Sequence, residues 1–114
     1  MAKKKKPEAE FQDMVVELAH LYKWRVAHFR AAQVREGKFA TPVAYDGAGF
    51  PDLVMIRKER IVFAELKRRG VRKVSENQGE WAAAIIGTED INPGVEYHCW
   101  NPIDWDLIER ALKP

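Results

Sequence analysis

Leu53-Val54-Met55-Ile56-Arg57-Lys58-Glu59-Arg60-Ile61-Val62-Phe63-Ala64-Glu65-Leu66 is two apolar runs around a charged break, and its reading decides the fold. Each run is too short for an amphipathic helix and carries β-branched residues, so each predicts a strand and the pair a hairpin turning at Lys58-Glu59. Runs apolar at nearly every position predict a sheet covered on both faces. The ionisable residues gather at one end: Asp52 opens the first strand, and Glu65 and Lys67 close the second. If Arg57 faces Arg60, the register continues to Asp52 opposite Glu65, with Cβ atoms about 4.5–5.5 Å apart. Alternation puts Glu65 and Lys67 on the face of Ile61 and Phe63, and Ala64 and Leu66 on the other.

Two carboxylates that close repel each other, and a cation between them removes the conflict. Mg²⁺ suits the position, because it takes carboxylate oxygens and keeps several waters for a substrate. With the Lys67 ammonium beside it to offset phosphate charge, the expected chemistry is cleavage of nucleic acid. The competing reading is a structural ion pair of Lys67 with Asp52 or Glu65.

Outward from the hairpin, Phe11, Met14, Val15, Leu18 and Tyr22 have helical spacing and predict a helix from Glu8 to about Tyr22. A short strand is expected over residues 24–29. Residues 30–48, with Gly37, Pro42 and Gly47, read as an irregular excursion with a short strand near Val43. Ser75-Glu76-Asn77-Gln78 has the form of a capping box and starts a helix to about Ile86. Thr88 to Gly94 reads as a loop and Val95 to Trp100 as a strand. Asn101-Pro102 caps a last helix carrying Ile103, Leu107, Ile108 and Leu112. The expected class is α/β, a small mixed β-sheet flanked by helices in the order αβββαβα.

Two further polar residues fall on inward helix faces. Glu8 lies on the edge of the first helix's apolar stripe, either as a third acid at the site or as a first-turn partner of the helix dipole. Gln78 shares a face with Trp81, Ala82 and Ile85, either as a site residue or only as the capping partner of Ser75. His28 reads as a core or rim histidine rather than a ligand.

A chain of 114 residues makes one domain, expected over residues 8–114 behind a basic, disordered tail over 1–7. No apolar stretch reaches the ~18 residues that span a bilayer, and no apolar segment follows the lysines as in a secretory signal. Cys99, the single cysteine, excludes an intramolecular disulfide and a cysteine zinc cage, so a reducing, cytoplasmic setting is expected. Net charge is only +2, but Arg57, Lys58, Arg60, Lys67, Arg68, Arg69, Arg72 and Lys73 run together beside the hairpin. A positive surface next to carboxylates suits a polyanion, although a solvated Lys/Arg loop would have the same composition.

Gly49-x-Pro51-Asp52 followed by Glu65-x-Lys67 resembles the motif of the PD-(D/E)xK nuclease superfamily. Glu8-x-x-Phe11-Gln12, Trp24-Arg25-Val26-Ala27-His28, Gln78-x-x-Trp81 and Trp100-x-Pro102-x-Asp104-Trp105 extend the likeness to stand-alone VRR-NUC proteins, many of them encoded by phages and prophages. The resemblance implies a single restriction-endonuclease-like domain, Mg²⁺ or Mn²⁺ as cofactor, a homodimer, and resolvase-like cleavage of branched DNA. It also implies roles. Asp52 and Glu65 would be metal ligands with the Leu66 carbonyl, and with Glu8 through water. Lys67 would be the catalytic lysine and Gln78 the motif glutamine. Arg68, Arg69, Arg72, Lys73 and Arg30 are the expected contacts to nucleic acid. The basic segment after Lys67 departs from the short turn usual in similar proteins. A non-catalytic nucleic-acid-binding module on the same fold is the alternative.

Overall fold

The structure is a computed structural model that describes residues 7–29 and 44–114 in full, and residues 32–35 and 38–40 by backbone alone. The tail over 1–6, Arg30 and the strand expected near Val43 lie outside the described residues. The chain runs through α1 (Pro7–Leu21), β1 (Arg25–His28), β2 (Ala32–Arg35), β3 (Lys38–Ala40), β4 (Leu53–Arg57) and β5 (Arg60–Leu66). It continues through α2 (Glu76–Glu89), β6 (Val95–Trp100), a 3-10 turn (Pro102–Asp104) and α3 (Trp105–Leu112). β1, β4, β5 and β6 form one mixed sheet in that order, and β2 pairs with β3 separately.

The sheet follows from the apolar runs. β4 and β5 pair antiparallel with Arg57 opposite Arg60 and Leu53 opposite Ala64, the register that puts Asp52 opposite Glu65. The turn is made by Lys58 in the left-handed region (φ +54°), a position that tight hairpins usually give to glycine or asparagine. One face carries Leu53, Met55, Val62 and Ala64, all fully buried, against Phe11, Val15 and Ala19 of α1 and Ile108 and Leu112 of α3. The opposite face carries Phe63, which meets Phe50 edge-to-face, and Phe50 in turn meets Trp81 of α2. Helices thus cover both faces, as the unbroken apolar runs require.

Three expectations are corrected. The excursion after β1 holds an antiparallel ribbon, β2 with β3, so the order is αβββββαβα. Helix α2 continues to Glu89, into the stretch read as a loop, and the last helix begins as a 3-10 turn because Asn101 and Asp104 close a capping box over Pro102-Ile103. Buried Asp104 also takes a bidentate pair from Arg72 (both 2.8 Å). Among the described residues no helix is long and apolar enough to cross a membrane.

Gly49 fixes the approach to the carboxylate end of the sheet. Its φ is +81°, and a Cβ there would lie 2.5 Å from the Asn77 carbonyl carbon and 2.6 Å from the Gln78 nitrogen. The loop backbone therefore lies directly on the first turn of α2, which cannot retreat without breaking its own cap. Gly49→Ala is expected to cost roughly 2–4 kcal/mol, from left-handed strain and overpacking together. A urea-denaturation midpoint equal to the parent's would contradict this close approach.

Candidate active site

Three elements deliver the site. Asp52 stands one residue before β4, Glu65 is the penultimate residue of β5, Lys67 follows it, and Gln78 lies in the first turn of α2. Asp52 Oδ2 accepts the Leu66 N–H at 2.8 Å, which fixes its carboxylate beside the end of β5. Glu65 is 3% exposed, and its Oε1 accepts from Gln78 Nε2 at 2.6 Å. Its other oxygen, Oε2, is buried with no hydrogen-bond donor. The neighbouring carboxylate of Asp52 is another acceptor, so only a proton or a cation can sit between the two acids. Burial first, and then the charge and hydrogen-bonding of Asp52, push the Glu65 carboxyl up to about 8, against a weaker pull downward from Lys67.

Gln78 unites the two readings that the sequence left open. Its Oε1 accepts from the Ser75 N–H and from Lys67 Nζ, both at 2.8 Å, while the Ser75 hydroxyl accepts the Gln78 N–H. The capping box therefore holds the side chain that holds the lysine and the buried glutamate. Lys67 N–H donates to the Trp100 carbonyl of β6 at 2.7 Å. Across that trans peptide the Leu66 carbonyl points the opposite way, toward the Asp52 side of β5. One carboxylate pair, one carbonyl and one ammonium thus share a single end of the sheet.

The remaining expected residues divide. Glu8 is exposed, with its Oε1 3.7 Å from Arg68 Nε, and among the described residues no three His, Cys, Asp or Glu side chains gather to hold a metal ion. It does not join Asp52 and Glu65 as a third acid, because α1 turns its first turn to solvent at the exit of β5. Arg68, Arg69 and Lys73 are exposed beside Lys67, whereas Arg72 is tied to Asp104. Arg57 and Arg60 lie at the hairpin tip, roughly 16 Å of strand away from Glu65. There Arg57 donates to the Tyr22 carbonyl, and Arg60 to Glu96 and the Ala111 carbonyl. The basic run is therefore split between fold and surface. His28 is a rim residue whose Nδ1 lies 3.3 Å from Gln12 Nε2.

Sequence reasoning missed β6 as a wall of the site. Its parallel register puts Cys99 beside Glu65 and Tyr97 beside Phe63. Burial raises both groups, the Tyr97 hydroxyl to about 12 and the Cys99 thiol in the same direction, so both stay neutral. Val95 to Trp100 was legible as a strand, but nothing local encodes which strand it joins or in what register.

No family model, no curated protein and no solved structure matches the chain.

Proposed function

We propose that this protein is a Mg²⁺- or Mn²⁺-dependent endonuclease of the PD-(D/E)xK kind, on a restriction-endonuclease-like fold, acting on branched or duplex DNA. The observation that carries the reading is the buried, donor-less Glu65 Oε2 beside a second carboxylate. Without a cation such a pair must hold a proton well above the usual carboxylate range and loses stability once both acids ionise, a cost that a purely structural domain has no reason to carry. The ion-pair alternative is disfavoured by Lys67, whose ammonium is held by the Gln78 amide rather than by a carboxylate.

The residues fit a hard divalent cation. Asp52, Glu65 and the Leu66 carbonyl would hold it, an all-oxygen set of the kind Mg²⁺ and Mn²⁺ take. Bound there, the ion supplies a water of lowered pKa and neutralises charge on the scissile phosphate. Lys67, oriented by Gln78, stands on the same face as Glu65 and stabilises the charge that develops on the phosphate oxygens. Arg68, Arg69 and Lys73 hold flanking phosphates, so binding weakens steeply with salt. The exposed Glu8–Arg68 pair contributes little to the fold and leaves that arginine available. An arrangement that presents one cleavage centre suits action as a homodimer on two strands.

The test is a cleavage assay over four-way junctions, flaps, nicked duplex and linear duplex with Mg²⁺, Mn²⁺ or EDTA. Cleavage of at least one substrate that EDTA abolishes is expected. Binding without cleavage under every metal condition would make the chain a nucleic-acid-binding module instead.

A further inference from the structure

A cleft of about 360 Å³ opens between the 44–48 loop and α2, on the sheet face that carries Asp52 and Glu65. Its size is that of a small-molecule site, roughly 300–1,000 Å³. It begins at Asn77, next to Gln78 in the chain, where the Gly49 backbone presses on the helix. One wall is an α2 stripe of Asn77, Glu80 and Trp81, and the other is Tyr45 and Asp46. The Trp81 ring is fixed in two ways: Nε1 donates to the Asp46 carbonyl at 2.9 Å, and Phe50 meets it edge-to-face at 4.9 Å. Tyr45 has φ +56°, a conformation costly for a tyrosine, and its ring is fully exposed. A large aromatic held in water by strained backbone calls for a partner.

We infer that this cleft receives one unpaired nucleobase of the substrate, stacked on the aromatic rings of Trp81 and Tyr45 with its N–H edge toward Asp46 and Glu80. The inference rests on the nuclease reading and narrows its substrate to nucleic acid with an unstacked base beside the scissile phosphate. The charge of the cleft selects the ligand. Among the described residues it is lined by two carboxylates and no lysine or arginine, so a phosphate is repelled there. A base offers a π-face and amino or imino donors, and guanine, with adjacent N1–H and N2–H₂, can give a carboxylate two parallel hydrogen bonds. Stacking of a base on an aromatic side chain contributes about 1–3 kcal/mol. Phosphates on either side remain for Arg68, Arg69 and Lys73, outside the cleft. A guanidinium from a protein partner shares part of this chemistry, but continuity with the first turn of α2 that holds Lys67 and Glu65 favours the base.

The sign of one charge removal decides the matter. Metal-free protein in EDTA is titrated with a duplex bearing one extrahelical guanine and with the same duplex fully paired, following tryptophan emission and anisotropy. Glu80→Gln and Tyr45→Ala, both exposed and outside the carboxylate site, are titrated alongside. The inference expects the extrahelical duplex to bind at least tenfold more tightly and to quench emission, with that preference lost in both variants. Plain electrostatics predicts the reverse for Glu80→Gln, tighter binding to both duplexes, and that result overturns the inference. Equal wild-type affinity for the two duplexes, or quenching by argininamide but not by the extrahelical duplex, overturns it as well. If neither duplex binds in EDTA, the inference is overturned, while the metal-dependent cleavage assay decides the nuclease reading separately.

Discussion

Lys67→Ala is expected to lower metal-dependent DNA cleavage by roughly 10²–10³-fold or more, the usual cost of removing one preorganised charge aimed at a developing anion. Asp52→Asn should lose at least as much, because it removes the charge of a proposed metal ligand while keeping an acceptor for the Leu66 N–H. Neither loss should come from misfolding. After Lys67→Ala, Gln78 Oε1 still accepts the Ser75 N–H, so the cap of α2 survives. After Asp52→Asn, the buried Glu65 loses the neighbouring charge that raises its pKa. Thermal unfolding of both variants should therefore stay close to the parent's while single-turnover cleavage collapses. A variant cutting at the parent rate would remove that residue from the site.

The second large effect concerns stability in EDTA. The Glu65 carboxyl is raised from 4.5 to about 8 in the folded protein. Between those values the folded state keeps a proton that the unfolded chain has lost, so stability falls as pH rises through that window. It is fully present below the lower value and lost by pH 9. Since one pKa unit corresponds to about 1.4 kcal/mol, the loss amounts to a few kcal/mol, a Tm drop on the order of 10 °C for a domain of this size. Glu65→Gln should abolish that drop and leave the variant more stable than the parent at pH 9. Its amide carbonyl still accepts from Gln78, and its NH₂ can donate to Asp52. At pH 9, Mn²⁺ should restore the parent's Tm and leave the variant's unchanged. A parent Tm that is flat from pH 5 to 9 in EDTA would show that the two carboxyls do not share a buried space.

These outcomes rest on features of unequal visibility in the sequence. The hairpin was legible because Leu53–Ile56 and Ile61–Leu66 leave room for only one turn, and a two-residue tip at Lys58-Glu59 then puts Asp52 opposite Glu65, a pairing that a one-residue slip would have undone. The helix starting at Ser75 was legible because a capping box is a local rule. What stayed hidden is non-local. Whether Gln78 only caps a helix depends on where α2 packs on the sheet, and there its one amide caps the helix and also bonds Lys67 and Glu65. Glu8 looked inward by helical spacing, yet its position beside Arg68 depends on the angle at which α1 crosses the sheet. The β2–β3 ribbon lacked a pattern because its segment interrupts every apolar run with polar or small residues. Arg57, Arg60 and Arg72 read as part of one basic patch, since a list of charges cannot show that their partners are Tyr22, Glu96 and Asp104.

Whether Asp52 and Glu65 share one divalent cation is read by calorimetric titration of the protein with Mn²⁺. At pH 7 a single saturable binding event that releases about one proton is expected, since Glu65 would lose its proton to coordinate. Glu65→Gln should show no such event. Equal Mn²⁺ binding by parent and variant, or none by the parent, would contradict a shared cation.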